Sequence, residues 1–252
     1  MIARSPEFGS PRNKNIKVWR YMDFTKFVSL LSTQALYFPR ADRLGDPFEG
    51  SWPKLNVQNR QRLIEILGAS DPVLASKGLS SVTRKHTTWT YINCWHCSDY
   101  ESAAMWKVYV NAEQGIAIQT TYTQLRDCLG AVPNEQIYYG RVRYLDYSTQ
   151  YTPHQAQLAP FACKRKSFEH EKEVRAVILR LPNQVVSSQE HADEIDTAEG
   201  LPIRVDLTNL IQGVFVAPNA PTWLLSLVED VSQKYNLSAP VRRSQLDEDP
   251  LF

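Results

Sequence analysis

Between residues 16 and 246, short β-forming runs repeatedly interrupt amphipathic helical stretches, and this interleaving limits what the chain can fold into. "IKVWRYM" (16–22), "ALYF" (35–38), "TWTYINCWHCS" (88–98), "GIAIQTTY" (115–122) and "QIYYGRVRYLDY" (136–147) are rich in β-branched and aromatic residues and read as strands. So do residues 174–180, "LPIRVDL" (201–207), "IQGVFVAP" (211–218) and "APVRRSQL" (239–246). The glycine inside 136–147 suggests a bulge. Helical spacing follows Asp23, a capping residue, and recurs at 56–69, 101–112, 123–132 and, after Pro221, at 221–236; 153–173 carries a helix whose limits are open. Residues 40–53 read as a loop, 70–86 as polar and irregular, and 183–200 as a flexible loop. Many short strands among helices predict an α+β domain with a twisted, mainly antiparallel or split central sheet and peripheral helices, rather than a doubly wound sheet.

The chain has 252 residues, enough for one substantial core. "MIARSPEFGS" (1–10) reads as a cloning leader outside the fold, 11–246 as a single catalytic-type domain, and 247–252 as a loose tail. Lys and Arg number 28 against 27 Asp and Glu, so no global field draws the chain to nucleic acid or an anionic membrane. No run approaches the roughly 18 apolar residues of a membrane span. Four cysteines without a secretion signal predict a reducing, cytoplasmic setting. The 6 Trp and 12 Tyr favour an aromatic core or stacking surfaces.

The chemistry-bearing stretch is "FEHEKEVRAVIL" (168–179). On an extended chain Glu171 and Glu173 stand on one side, roughly 7 Å apart. Two like charges there require a cation between them: a basic side chain or a cationic substrate. With Lys172 and Arg175 at hand, the same residues also read as an ion-paired strand edge. "GDPFE" (45–49) shapes a turn, with Asp46 or Glu49 facing a ligand in the functional reading. "SDYE" (98–101) matches a capping box that makes Ser98 the helix cap, and Met105 and Trp106 read as core. "CWHC" (94–97) has zinc-like spacing, but no second ligand pair accompanies it, so buried core cysteines come first and no metal is expected. "CKRKSF" (163–168) reads as a solvated basic helix face that would otherwise contact phosphate. Walker A, G-x-G-x-x-G, G-x-S-x-G and H-E-x-x-H patterns do not occur.

Arg20-Tyr21, Asp46-Pro47-Phe48-Glu49, the "CWHCS" run, Met105-Trp106 with Tyr109, a glycine opening a strand, and Glu171-x-Glu173-x-Arg175 together resemble a large bacterial family of uncharacterised domains. That family shows R-Y, N-D-P-F-E, C-F-S, M-W with Tyr, and E-x-E-x-R in this order, and the resemblance spans about residues 16–245. Gly45 replaces the usual Asn, and "CWHCS" the simpler C-F-S. The resemblance implies a cytoplasmic bacterial domain found near mobile or phage-defence genes. The order Arg20 or Tyr21, then Ser98, then Glu171-x-Glu173 also resembles ADP-ribosyltransferase-like folds. This second resemblance implies an NAD-consuming enzyme, an ADP-ribosyltransferase or NAD glycohydrolase acting as a toxin or phage-defence effector.

In that reading NAD is the substrate. Glu173 stabilises the oxocarbenium-like centre, and Glu171 orients or activates the acceptor, a protein or nucleic acid. Arg20 holds the pyrophosphate, Ser98 the ribose, and Tyr21, Trp106 or Tyr109 stack on nicotinamide, with Asp46 and Glu49 lining the pocket. A cognate antitoxin or defence partner is implied, and no membrane. The alternative is a non-catalytic nucleotide- or partner-binding sensor or regulator. A metal-dependent nuclease using Asp46, Glu49 and Glu173 is a third class.

Overall fold

A computed structural model describes residues 1–3, 5–69, 71–110, 114–153, 156–181 and 199–251. Eight strands join one sheet in the order β1 (Ile2–Ala3), β6 (Ile137–Arg141), β9 (Glu173–Leu179), β4 (Thr90–Cys97), β2 (Lys17–Asp23), β5 (Gly115–Thr121), β11 (Gly213–Val216) and β12 (Val241–Arg243). The two outermost pairings are parallel and the five between them antiparallel. The described residues thus form an α+β domain around a mixed, mostly antiparallel sheet. The pairing at the middle of the sheet is short. β2 and β4 pair only at Val18–Cys97 and Trp19–His96, whereas β4 runs against β9 over seven positions, Thr90–Leu179 to His96–Glu173. β3 (Ala35–Pro39) pairs instead with β10 (Gly200–Arg204), and β7 (Arg143–Leu145) with β8 (Cys163–Arg165).

Strand alternation separates the two faces. Val174, Ala176 and Ile178 of β9, Tyr91 and Trp95 of β4, Val18 and Met22 of β2 and Ile116 and Ile118 of β5 point to one face and share a single large core. α1 (Phe24–Thr33), α5 (Tyr122–Gly130), α6 (Leu207–Leu210) and α7 (Thr222–Lys234) close over it with Phe27, Leu31, Leu125, Leu210, Leu224 and Val228. The second face holds two smaller clusters. Under α4 (Ala103–Tyr109) lie Trp19, Tyr21, Met105, Trp106 and Phe215; under the 158–162 segment lie Ile92, Val177, Phe161 and Phe8. Glu173, Arg175, Cys94 and His96 occupy that second face by the same alternation.

Several elements differ from the sequence reading. Residues 72–86 form a full helix, α3 (Pro72–His86), beside α2 (Lys54–Ile66); Asp71 caps it through Leu74 N, and Pro72 sits in its first turn, where its missing N–H costs nothing. No α-helix forms among the described residues of 153–173: Pro160 lies in a 3₁₀ turn (Ala159–Phe161), β8 follows, and a second 3₁₀ turn spans Lys166–Glu171. The run 136–147 breaks at Val142 rather than bulging at Gly140, so that β6 follows β9 and β7 leaves to join β8. α4 is capped by Ser102, whose hydroxyl accepts from Met105 N, not by Ser98. The segment 183–198 lies outside the described residues.

The first ten residues contribute to the fold. Ile2–Ala3 adds an edge strand to β6, and Phe8 is buried against Ile92 and Phe161. Gly140 permits this, because a Cβ there would stand 2.6 Å from the Gly9 carbonyl oxygen and 2.7 Å from Phe8 Cβ.

Candidate functional site

Where β9 begins, the second face of the sheet carries a closed network of charges. Arg175 is fully buried and stands opposite Cys94 in the β4–β9 register. Its guanidinium donates to both Glu49 oxygens, at 2.6 and 2.8 Å, to Glu173 Oε2 at 2.9 and 3.1 Å, and to the Phe161 carbonyl at 2.8 Å. This forked recognition suits a planar guanidinium, and it ties the 40–53 loop to the sheet across 126 residues of sequence.

Lys164, on β8, pairs with Glu171 Oε2 and stands 3.6 Å from Glu173 Oε2. The Tyr109 hydroxyl donates to Glu171 Oε1 at 3.0 Å, and Glu173 N donates to the Tyr144 hydroxyl at 2.7 Å. The residue between the two glutamates, Lys172, is left-handed (φ 43°), so the pair does not lie on one extended strand. The chain turns out of a 3₁₀ helix, and the carboxylates meet on Lys164 instead. Lys164 and Arg175 are therefore the cations that keep the glutamates together, while Lys172 carries no ion pair to either.

Burial pushes the Glu173 carboxyl up, but Arg175 and Lys164 outweigh it and hold the group below its ordinary range, as a carboxylate. Burial pushes Glu49 up, with Arg175 opposing. Burial also drives the Cys94 thiol well up, leaving it neutral and able to donate its hydrogen bond to Glu173. Formally, three carboxylates meet two cations here, which leaves one negative charge in an enclosure where Glu171 and Glu173 are each 5% exposed. His96 stands beside the network. Its Nδ1 lies 2.6 Å from the Glu171 carbonyl oxygen, and burial lowers its pKa. A carbonyl only accepts, so Nδ1 carries the proton of the neutral ring and Nε2 keeps its lone pair.

No protein-family model, curated protein or solved structure matches this chain.

The structure brings Glu171, Glu173, Glu49 and Tyr109 into one network. Asp46 flanks it, held by Arg165 Nη2 at 2.8 Å, and Arg165 stacks over Phe48 with 4.1 Å to the ring centroid. Tyr21 and Trp106 form an adjoining aromatic wall. Their rings meet edge-on at 4.9 Å, and Tyr21 meets His96 at 6.3 Å. Arg20 is not part of the network: it leaves β2 on the opposite face and donates to the Tyr37 carbonyl at 3.2 Å where β2 and β4 part. Its Nη1 is buried without an acceptor, and burial lowers its pKa to about 10. Ser98 lies at the end of β4, its carbonyl accepting from Trp19 Nε1 at 2.8 Å, apart from the carboxylates.

Lys164, Tyr144, Cys94 and His96 were missed as network members. "CKRKSF" held the signal, but Lys164 is a buried strand residue rather than part of a solvated helix. Among the described residues no three of His, Cys, Asp and Glu are grouped as a metal would require, and no helix is long and apolar enough to cross a membrane.

Proposed function

We propose that the chain is an NAD-consuming enzyme of ADP-ribosyltransferase type and that the β9 network is its reaction site. One observation carries this reading. The three adjacent central strands β2, β4 and β9 present Tyr21, His96 and Glu173 on the same face, with Glu173 ionised at the start of its strand. The glutamate opening the last of these strands resembles ADP-ribosyltransferase-like folds, which place Arg or His on the first strand and Ser or Tyr on the middle one; here the two aromatic positions are exchanged, with Tyr21 first and His96 in the middle.

In the reaction, the bond between nicotinamide nitrogen and ribose C1′ breaks and its electron pair leaves with nicotinamide. The positive charge that develops on the ribose lies beside the Glu173 carboxylate in a low-dielectric enclosure, where such stabilisation is strongest. The unbalanced negative charge of the network complements it. The acceptor, a protein or nucleic-acid nucleophile or water, attacks C1′ and gives its proton to Glu171, whose Oε1 is held by Tyr109. Tyr21 and Trp106, packed edge-on, supply an aromatic corner for the nicotinamide ring. Tyr109 is 47% exposed while its hydroxyl reaches Glu171, so it marks the side from which a ligand meets the carboxylates.

The closure of the network favours a second reading. With Glu171 and Glu173 each 5% exposed and bonded to cations, the network is also suited to a scaffold, and the domain then binds a nucleotide or partner without turnover. Nicotinamide release from NAD, in buffer and with bacterial lysate as acceptor, separates the two. The enzyme reading expects release by wild type and a loss of roughly 10²-fold or more in Glu173→Gln. Tyr109→Phe, at an exposed position, keeps the fold and lowers release. No release by a folded wild type under either condition leaves the binding reading.

A further inference from the structure

Helices α2 and α3 lie side by side, and with the turn at 157–161 they border a cavity of about 200 Å³ on the far side of Phe161 from the network. Trp52, Leu79, Val82, Pro160 and Phe161 make most of its wall apolar. One lining residue, Arg60, carries a formal charge. Its Nη2 reaches only Ser80 Oγ, at 3.3 Å, its Nε is buried with no acceptor, and no carboxylate among the described residues pairs with it. Gln157 adds an uncharged amide to the lining, and Asn56 and Thr83 are engaged with the backbone. The Asn56 amide is spent in both directions on the Thr152 backbone, at 2.8 and 2.9 Å, and the Thr83 hydroxyl donates to the Leu79 carbonyl at 3.0 Å. Burial lowers the His86 pKa, so this ring adds no charge at neutral pH.

The buried Nε–H of Arg60 has no acceptor in the protein, which leaves a charged donor for an anion that enters the cavity. An apolar cavity of roughly 150 Å³ is enough to take one benzene ring, so this one has room for a ring and one small polar group. A guanidinium fork fits a carboxylate. A phosphate dianion carries two charges against the single cation this cavity offers. We propose that this cavity binds a small aromatic monocarboxylate, with the carboxylate on Arg60 and the ring between Trp52 and Phe161. Of these residues only Phe161 touches the carboxylate network, through its backbone carbonyl, so the proposal does not depend on NAD turnover.

Calorimetric titration of the full chain with sodium benzoate tests it, with benzyl alcohol as the same ring without charge and sodium acetate as the charge without the ring. The expected result is saturable benzoate binding at one site, at least tenfold tighter than either control. Arg60→Met, which keeps the apolar stem, weakens benzoate at least tenfold with an unchanged circular dichroism spectrum. Leu79→Trp fills the cavity with Arg60 intact and abolishes binding; it decides the matter if Arg60→Met misfolds. Absence of benzoate binding to wild type, equal binding by Arg60→Met, or benzyl alcohol binding as tightly as benzoate overturns the proposal.

Discussion

Arg175 holds more of the second face together than any other side chain of the network, because Glu49, Glu173 and the Phe161 carbonyl all depend on it. Removing one partner of a buried ion pair leaves the other charge stranded. Arg175→Leu therefore lowers stability by about 3–5 kcal/mol in urea titrations, a loss expected even if the domain has no catalytic role. Titration gives two further signs. Glu173 has a depressed pKa in the fold, so its contribution is present above the unfolded glutamate value of about 4.3 and fades as pH falls through the folded value. Lys164 is raised: burial opposes this, and Glu173 and Glu171 overcome it. Its contribution is complete below the unfolded lysine value of about 10.4 and fades as pH rises through the folded one. The stability gap between wild type and Glu173→Gln thus narrows on the acid side, and that between wild type and Lys164→Met on the alkaline side. Comparing variants matters, because Glu49, raised by burial, acts in the opposite sense to Glu173 in acid. A gap that stays constant from pH 3 to 11 contradicts the network as described.

At the scale of elements, local chemistry was legible where it decided the outcome. Period-two alternation located β9 and β4, and Asp23 caps α1 through Lys26 N as its position suggested. α3 escapes the sequence pattern because Gly78, Ser80 and Ser81 blur its apolar periodicity, although Asp71-Pro72 carries a start signal. Ser98 lost the cap of α4 to Ser102 because β4 runs on to Cys97, and Ser98 N still donates to the Lys17 carbonyl beside β2. Composition marks the first ten residues as a leader, yet Ile2, Ala3, Phe8 and Gly9 lie against β6 with Gly140 as the fitting point. Gly140→Ala places a methyl against Gly9 and Phe8, so hydrogen exchange quickens in residues 1–10 and at Arg141, whose N–H donates to the Gly9 carbonyl at 2.8 Å. Unchanged exchange in that variant means that the N-terminal segment is not seated there.

For the whole molecule, the candidate site was readable as a set of residue types but not as a geometry. Glu171, Glu173, Glu49 and Tyr109 were singled out by motif. That Glu49 meets Arg175 across 126 residues, or that Lys164 is the cation between the glutamates, depends on tertiary packing that no local pattern encodes. Arg20 and Tyr21 are neighbours in sequence and fall on opposite faces of β2, so a motif that joins them conceals that only Tyr21 adjoins the carboxylates. We propose that NAD is held on the second face of β2, β4 and β9. Hydrogen exchange read by mass spectrometry, with and without NAD, tests it most directly. NAD held there slows exchange in α4 and residues 164–175 alone, in wild type and still detectably in Glu173→Gln. Exchange unchanged by NAD throughout the chain, or slowed only away from these segments, contradicts it.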